Sequence, residues 1–153
     1  MKPQQYYLAQ ANIVYMRAPL SDPLMKGFVD RLQTINELAD NSPGFVWRLQ
    51  DEATGNSTGV RAYPDEHILF NLSVWESVED LSNYVYRSEH AVVMRDGRQW
   101  FKKADSPTLV LWWIQSGQLP TINETKERLE YLRQHGATPY AFSFKKPFPA
   151  PSH

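Results

Sequence analysis

Thr108-Leu109-Val110-Leu111-Trp112-Trp113-Ile114-Gln115 is the most apolar stretch of the chain, and its reading decides the fold. It reads as a strand with Val110, Trp112 and Ile114 on one face and Leu109, Leu111 and Trp113 on the other. A strand apolar on both faces is buried on both, so the sheet that contains it needs a cover on each side.

Two more strands alternate upstream. In Ile68 to Trp75, the residues Ile68, Phe70, Leu72 and Val74 oppose Leu69, Asn71, Ser73 and Trp75. In Tyr6 to Met16, Leu8, Gln10, Asn12 and Val14 oppose Ala9, Ala11, Ile13 and Tyr15. Phe45 to Gln50 is a shorter strand, joined to Ile68 by the polar loop 51–66, which is long for a hairpin and reads as disordered or as a cover over a site.

Helical signals fall between these strands. Ser21-Asp22-Pro23 offers a cap and a first-turn proline, after which Leu24, Phe28, Leu32, Ile35 and Ala39 recur at helical spacing until Asn41-Ser42-Pro43-Gly44. Ser77-Val78-Glu79-Asp80 caps a second helix carrying Val78, Leu81, Val85 and Val92. Thr121-Ile122-Asn123-Glu124 opens a third, with Leu129 and Leu132 on its apolar stripe and His135-Gly136 as its stop. Tyr140 to Phe144 is a short strand, and Lys145 to His153, with three prolines, an extended tail.

The predicted order is therefore α+β: a ferredoxin-like βαββαβ arrangement with an added C-terminal helix and short strand. Residues 1–144 form one domain and 145–153 the tail. The βαββαβ order puts its helices on one sheet face only. A second copy is the simplest cover for the other, so the expectation is a homodimer, a dimeric α/β barrel.

Composition narrows the function. At 153 residues the chain suits one core, and 42% hydrophobic and 13% aromatic residues supply a packed interior or a pocket for a flat ligand. A formal net charge of -1 gives no basic field for nucleic acid. Cysteine is absent, which excludes disulfides and thiolate chemistry. Nothing resembles a signal peptide or a membrane span, so no membrane partner and a cytoplasmic location are expected.

The runs Gly44-Phe45-Val46-Trp47-Arg48-Leu49, Asn71-Leu72-Ser73-Val74-Trp75-Glu76-Ser77 and Val85-Tyr86-Arg87-Ser88-Glu89-His90, with Trp100-Phe101 and Leu109-Val110-Leu111-Trp112-Trp113, resemble a known family. It is a bacterial domain-of-unknown-function family in the dimeric α/β-barrel superfamily, alongside antibiotic-biosynthesis-type monooxygenases. The resemblance covers nearly the whole chain and implies fold and dimerisation. Trp75, Ser77, Ser88 and His90 are similar to a local pattern of the monooxygenase branch. That superfamily also holds haem-binding enzymes and isomerases, so fold alone does not choose a reaction.

Nucleotide fingerprints, phosphate loops, nucleophile elbows and zinc-binding histidine pairs are missing from the sequence, so no metal and no cofactor is predicted, with haem as the alternative. Of four histidines, His90 draws attention. It lies about 140° around the helix from Val85, on the side of Tyr86, the nearest group to orient it. It reads as a structural or surface histidine, as the catalytic proton-transfer group, or as a haem ligand. Asn12, Arg48, Asn71 and Ser73 are polar within apolar strands and either pair in the core or line a pocket. The expected substrate-binding residues are Asn12, Arg48, Asn71 and Trp75, in a small-molecule enzyme of monooxygenase-like type acting on a flat aromatic or polyketide-like substrate. A non-catalytic, dimeric small-ligand-binding protein is the alternative from another class.

Overall fold

The computed structural model describes residues 6–50, 63, 65, 67–87 and 96–151. β1 (Tyr6–Met16) leads through a short 3-10 turn to α1 (Lys26–Asp40), then β2 (Phe45–Arg48), β3 (Ile68–Trp75) and α2 (Val78–Arg87). β4 (Phe101–Lys102), β5 (Leu109–Gln115) and α3 (Ile122–His135) follow. Capping groups stand where the sequence places them. The Asp22 carboxylate accepts from Leu24 N at 2.9 Å, Ser77 Oγ from Asp80 N at 3.1 Å and Thr121 Oγ1 from Glu124 N at 3.1 Å.

β1 lies at the centre of an open antiparallel sheet. β3 pairs along one edge of it, with β2 outside β3, while β5 and the two-residue β4 share its other edge. The hairpin-plus-crossover order is the ferredoxin-like arrangement expected from the sequence. α1 and α2 pack on the face carrying Leu8, Trp75 and Leu111, and α1 with Trp100 closes the end near Met16 and Leu69.

The opposite face has its own cover within the chain. Ala9 and Ile13 of β1, Phe70 and Val74 of β3, and Val110 and Trp112 of β5 cluster with Leu129 and Leu132 of α3, and none of these is more than 5% exposed. The expectation of a second copy rested on this face being open, and that premise does not hold. The helix added after the βαββαβ unit does the covering, so a homodimer would have to use another surface or displace α3.

The predicted last strand shrinks to single bridges. Phe142 exchanges both backbone hydrogen bonds with Leu111, at 2.8 and 2.9 Å, on the free edge of β5. The tail beyond it is extended but held, because the carbonyl of Phe148 accepts from Trp113 Nε1 at 2.8 Å and its ring packs on Phe142.

Candidate functional site

Strand register builds a polar band into the helix-facing side of the sheet. Ser73 stands between Arg48 on β2 and Gln10 on β1, forming one rung, and Asn71 stands opposite Asn12 on the next. Directly opposed residues point to the same face, so these five side chains converge. Apolar rungs flank them: Leu8 and Trp75 on one side, Val14 and Leu69 on the other. Above the band, between it and α1 and α2, is a cavity of about 440 Å³ whose walls include all five polar residues and Trp75. The volume falls in the ordinary range for small-ligand sites.

Asn12, Arg48, Asn71 and Trp75, singled out in the sequence, thus share one cavity. Arg48 is anchored by a forked ion pair to Asp40 at the end of α1, with Nε to Oδ1 at 2.8 Å and Nη2 to Oδ2 at 3.3 Å. Trp75 bounds the cavity from a buried position. Its indole is 1% exposed, stacked on Tyr84 at 5.1 Å and met edge-on by Phe45 at 5.5 Å, so it buttresses one end.

Sequence reading missed other contributors. Arg31 and Asn36 reach the cavity from α1 and Tyr84 from α2, from helix positions where a polar residue usually means solvent. Gln10 was legible only as a member of an alternating strand, yet it is 8% exposed and donates to Ser73 Oγ at 2.8 Å. Tyr84 donates to the Ile35 carbonyl at 3.3 Å, and burial pushes its phenol well above the usual tyrosine range. Among the described residues of the lining there is no carboxylate, histidine or lysine, and among the described residues no acidic or histidine cluster is placed to hold a metal.

His90, with Ser88 and the loop 51–62, lies outside the described residues. Tyr86, which spacing nominated to orient it, is 55% exposed and packs edge-on against Phe144 rather than lining the cavity. His67 is bonded to Asp65 at 3.3 Å beside a surface depression that includes Lys102.

A family model described as "Domain of unknown function (DUF3291)" matches residues 7–153. The chain belongs to this family. No curated protein matches the sequence. Among solved structures the chain is similar to PA3566 from Pseudomonas aeruginosa, at 13% identity and a TM-score of 0.48, covering 78% of this chain and 100% of that one. It is also similar to NE2512, a protein of unknown function from Nitrosomonas europaea, at 10% identity and 0.47, covering 78% and 99%. An antibiotic biosynthesis monooxygenase-like protein of Nitrosomonas europaea follows at 14% and 0.40, covering 78% and 94%. No helix among the described residues is long and apolar enough to cross a membrane.

Proposed function

We propose that this chain is a small-molecule enzyme of monooxygenase-like type, acting on a flat aromatic or polyketide-like substrate in the cavity between helices and sheet. The observation that supports this reading is the polar band of Gln10, Asn12, Arg48, Asn71 and Ser73, set into an apolar face below a void of ligand size. A few placed polar groups in an otherwise apolar cavity are what orients a small ligand, so such a band favours recognition of substrate oxygen atoms.

In this reading the apolar rungs grip the rings while Asn12, Asn71 and Arg48 hold the oxygens. Removing a proton from the substrate makes it electron-rich enough to reduce dioxygen without a cofactor. A CH₂ group and O₂ then yield C=O and H₂O: one oxygen atom enters the substrate, the other leaves as water, and the substrate supplies all four electrons. The negative charge that builds on the substrate oxygen is what the donors of the band would stabilise. A guanidinium offers donors and no acceptor, and the Tyr84 phenol is raised by burial, so neither kind of group in the described lining serves as a base near neutrality. The reading therefore assigns the base to His90, whose side chain is suited to that pH.

Haem does not fit the described lining. Its residues offer no imidazole, thiolate or thioether to iron, and their one phenol, Tyr84, donates to Ile35, so the haem alternative would rest on His90 as the ligand. A non-catalytic small-ligand-binding protein is the second reading, favoured by the missing base among the described lining residues.

Oxygen uptake with a panel of hydroxylated polycyclic aromatics, alongside binding measured by tryptophan fluorescence, separates the two. Turnover by the wild type, cut roughly 10²-fold or more in His90→Gln with binding retained, supports the enzyme. Binding without oxygen uptake selects the second reading, and absence of any binding removes both.

A further inference from the structure

Ser73 is the most constrained polar group of the band. Gln10 Nε2 donates to its Oγ at 2.8 Å and Trp75 Nε1 donates to the same atom at 2.9 Å. A serine hydroxyl has two acceptor lone pairs and one hydrogen to give. Both lone pairs are therefore used by protein donors, one from the neighbouring strand and one from two residues along the same strand. What remains is the O–H, on a side chain that lines the cavity.

We infer that Ser73 is an obligate hydrogen-bond donor to the ligand, and that the site accordingly selects molecules presenting an acceptor oxygen, a ring carbonyl or phenolate, at that rung. The inference deepens the reading of the cavity as a small-molecule site and rests on it.

Three features carry the assignment. The two incoming bonds polarise the hydroxyl, and hydrogen bonds in a chain strengthen one another, so Ser73 gives its hydrogen more readily than an isolated serine does. The donors are held: Gln10 is 8% exposed, and the Trp75 indole is 1% exposed and fixed between Tyr84 and Phe45. The hydroxyl is thereby oriented before a ligand arrives, as stabilisation of a developing oxyanion requires. Its place in the rung completes the selection, because the Arg48 backbone pairs with Ser73 across the strand and the guanidinium also lines the cavity. An acceptor oxygen is favoured there over a donor such as an amine, which would meet a hydroxyl with no acceptor left.

The test uses a matched pair of tricyclic probes, fluorenone and fluorene, which share size and shape but differ in one carbonyl oxygen. Affinities for the full-length protein are read by calorimetry and by tryptophan quenching, with circular dichroism and thermal melts to verify folding. The wild type is expected to prefer fluorenone by roughly three- to tenfold, the span of one net neutral hydrogen bond. Ser73→Ala should bring that ratio to about one, and Ser73→Thr, which keeps the hydroxyl, should restore it. A preference that persists in a folded Ser73→Ala protein overturns the donor assignment and leaves the cavity reading standing. So does a wild type that binds both probes equally. A wild type that binds neither probe overturns the cavity reading, and the donor assignment falls with it.

Discussion

Gly44 and Asp80 are in such close register that a β-carbon on residue 44 would fall within the Asp80 carboxyl group. Gly44 also has φ of +80°, and its carbonyl accepts from Glu76 N at 2.7 Å, so the turn before β2 is bolted to the start of α2. That carboxylate takes the Ser77 hydroxyl at 3.0 Å as part of the α2 cap.

Gly44→Ala should therefore destabilise the fold by more than its backbone strain alone, by about 2–4 kcal/mol when the displaced cap is included. Gly136→Ala is the control, since Gly136 has φ of +76° with open space around it. It should cost about 1–3 kcal/mol, the backbone strain of a β-carbon at φ +76° and ψ −174° with no neighbour displaced. Urea denaturation of the two variants, compared at the same m-value, measures the difference.

Tyr84 makes stability depend on alkaline pH. The unfolded phenol ionises near its ordinary value of 10.0, while burial keeps the folded one protonated above that. Between these two values the unfolded state binds fewer protons, so stability is fully present below pH 10 and falls as pH rises beyond it. Tyr63 is raised for the same reason, so Tyr84→Phe should flatten this decline in part. At neutral pH the same variant should lose about 1 kcal/mol with the bond to Ile35. Denaturation midpoints across pH 8 to 11, wild type against variant, test both statements.

Much of this architecture was legible because alternation in three strands assigns every residue to a face without ambiguity. Ala9, Phe70 and Trp112 on one side and Gln10, Ser73 and Leu111 on the other follow directly from period two. What covers a face is a different question. The stripe of Leu129 and Leu132 would suit a sheet of its own chain or of another equally well, since apolar periodicity carries no address. Ser73 stood out as polar in an apolar strand, but its saturated lone pairs depend on Gln10, 63 positions away in sequence. β4 is two residues long and leaves no periodic signal.

The cover over the second face is testable by thinning it. Leu129→Ala and Leu132→Ala remove side chains that are 3% and 5% exposed, and each should cost about 2–5 kcal/mol. The pair together should bare the sheet enough to raise self-association above that of the wild type. Light scattering at matched micromolar concentration, alongside chemical denaturation, reads both effects. Unchanged association in a folded double variant would mean that Leu129 and Leu132 are not what keeps this face from other chains.

Removing residues 147–153 takes away the Phe148 carbonyl and ring together. The Trp113 indole then lacks its acceptor, and Phe142, fully buried, loses a neighbour 5.7 Å away. A loss of about 1–3 kcal/mol is expected, with the far-ultraviolet spectrum unchanged. A truncated protein that melts with the wild type would make the tail an ornament of the fold.

The placement of α3 also bears on how the chain folds in time. β1 is the first strand in sequence, yet its partner for Tyr6 is Gln115, and the helix that roofs its second face spans Ile122–His135. During synthesis from the N-terminus, β1 can pair with β3 early but must wait for β5 to complete its other edge and for α3 to cover its second face. Contacts this distant make for slow folding and leave Ala9, Ala11 and Ile13 open to foreign strands meanwhile. The chain is therefore committed to finishing its core late, and a pause in translation between β3 and β5 would hold it in its most adhesive form.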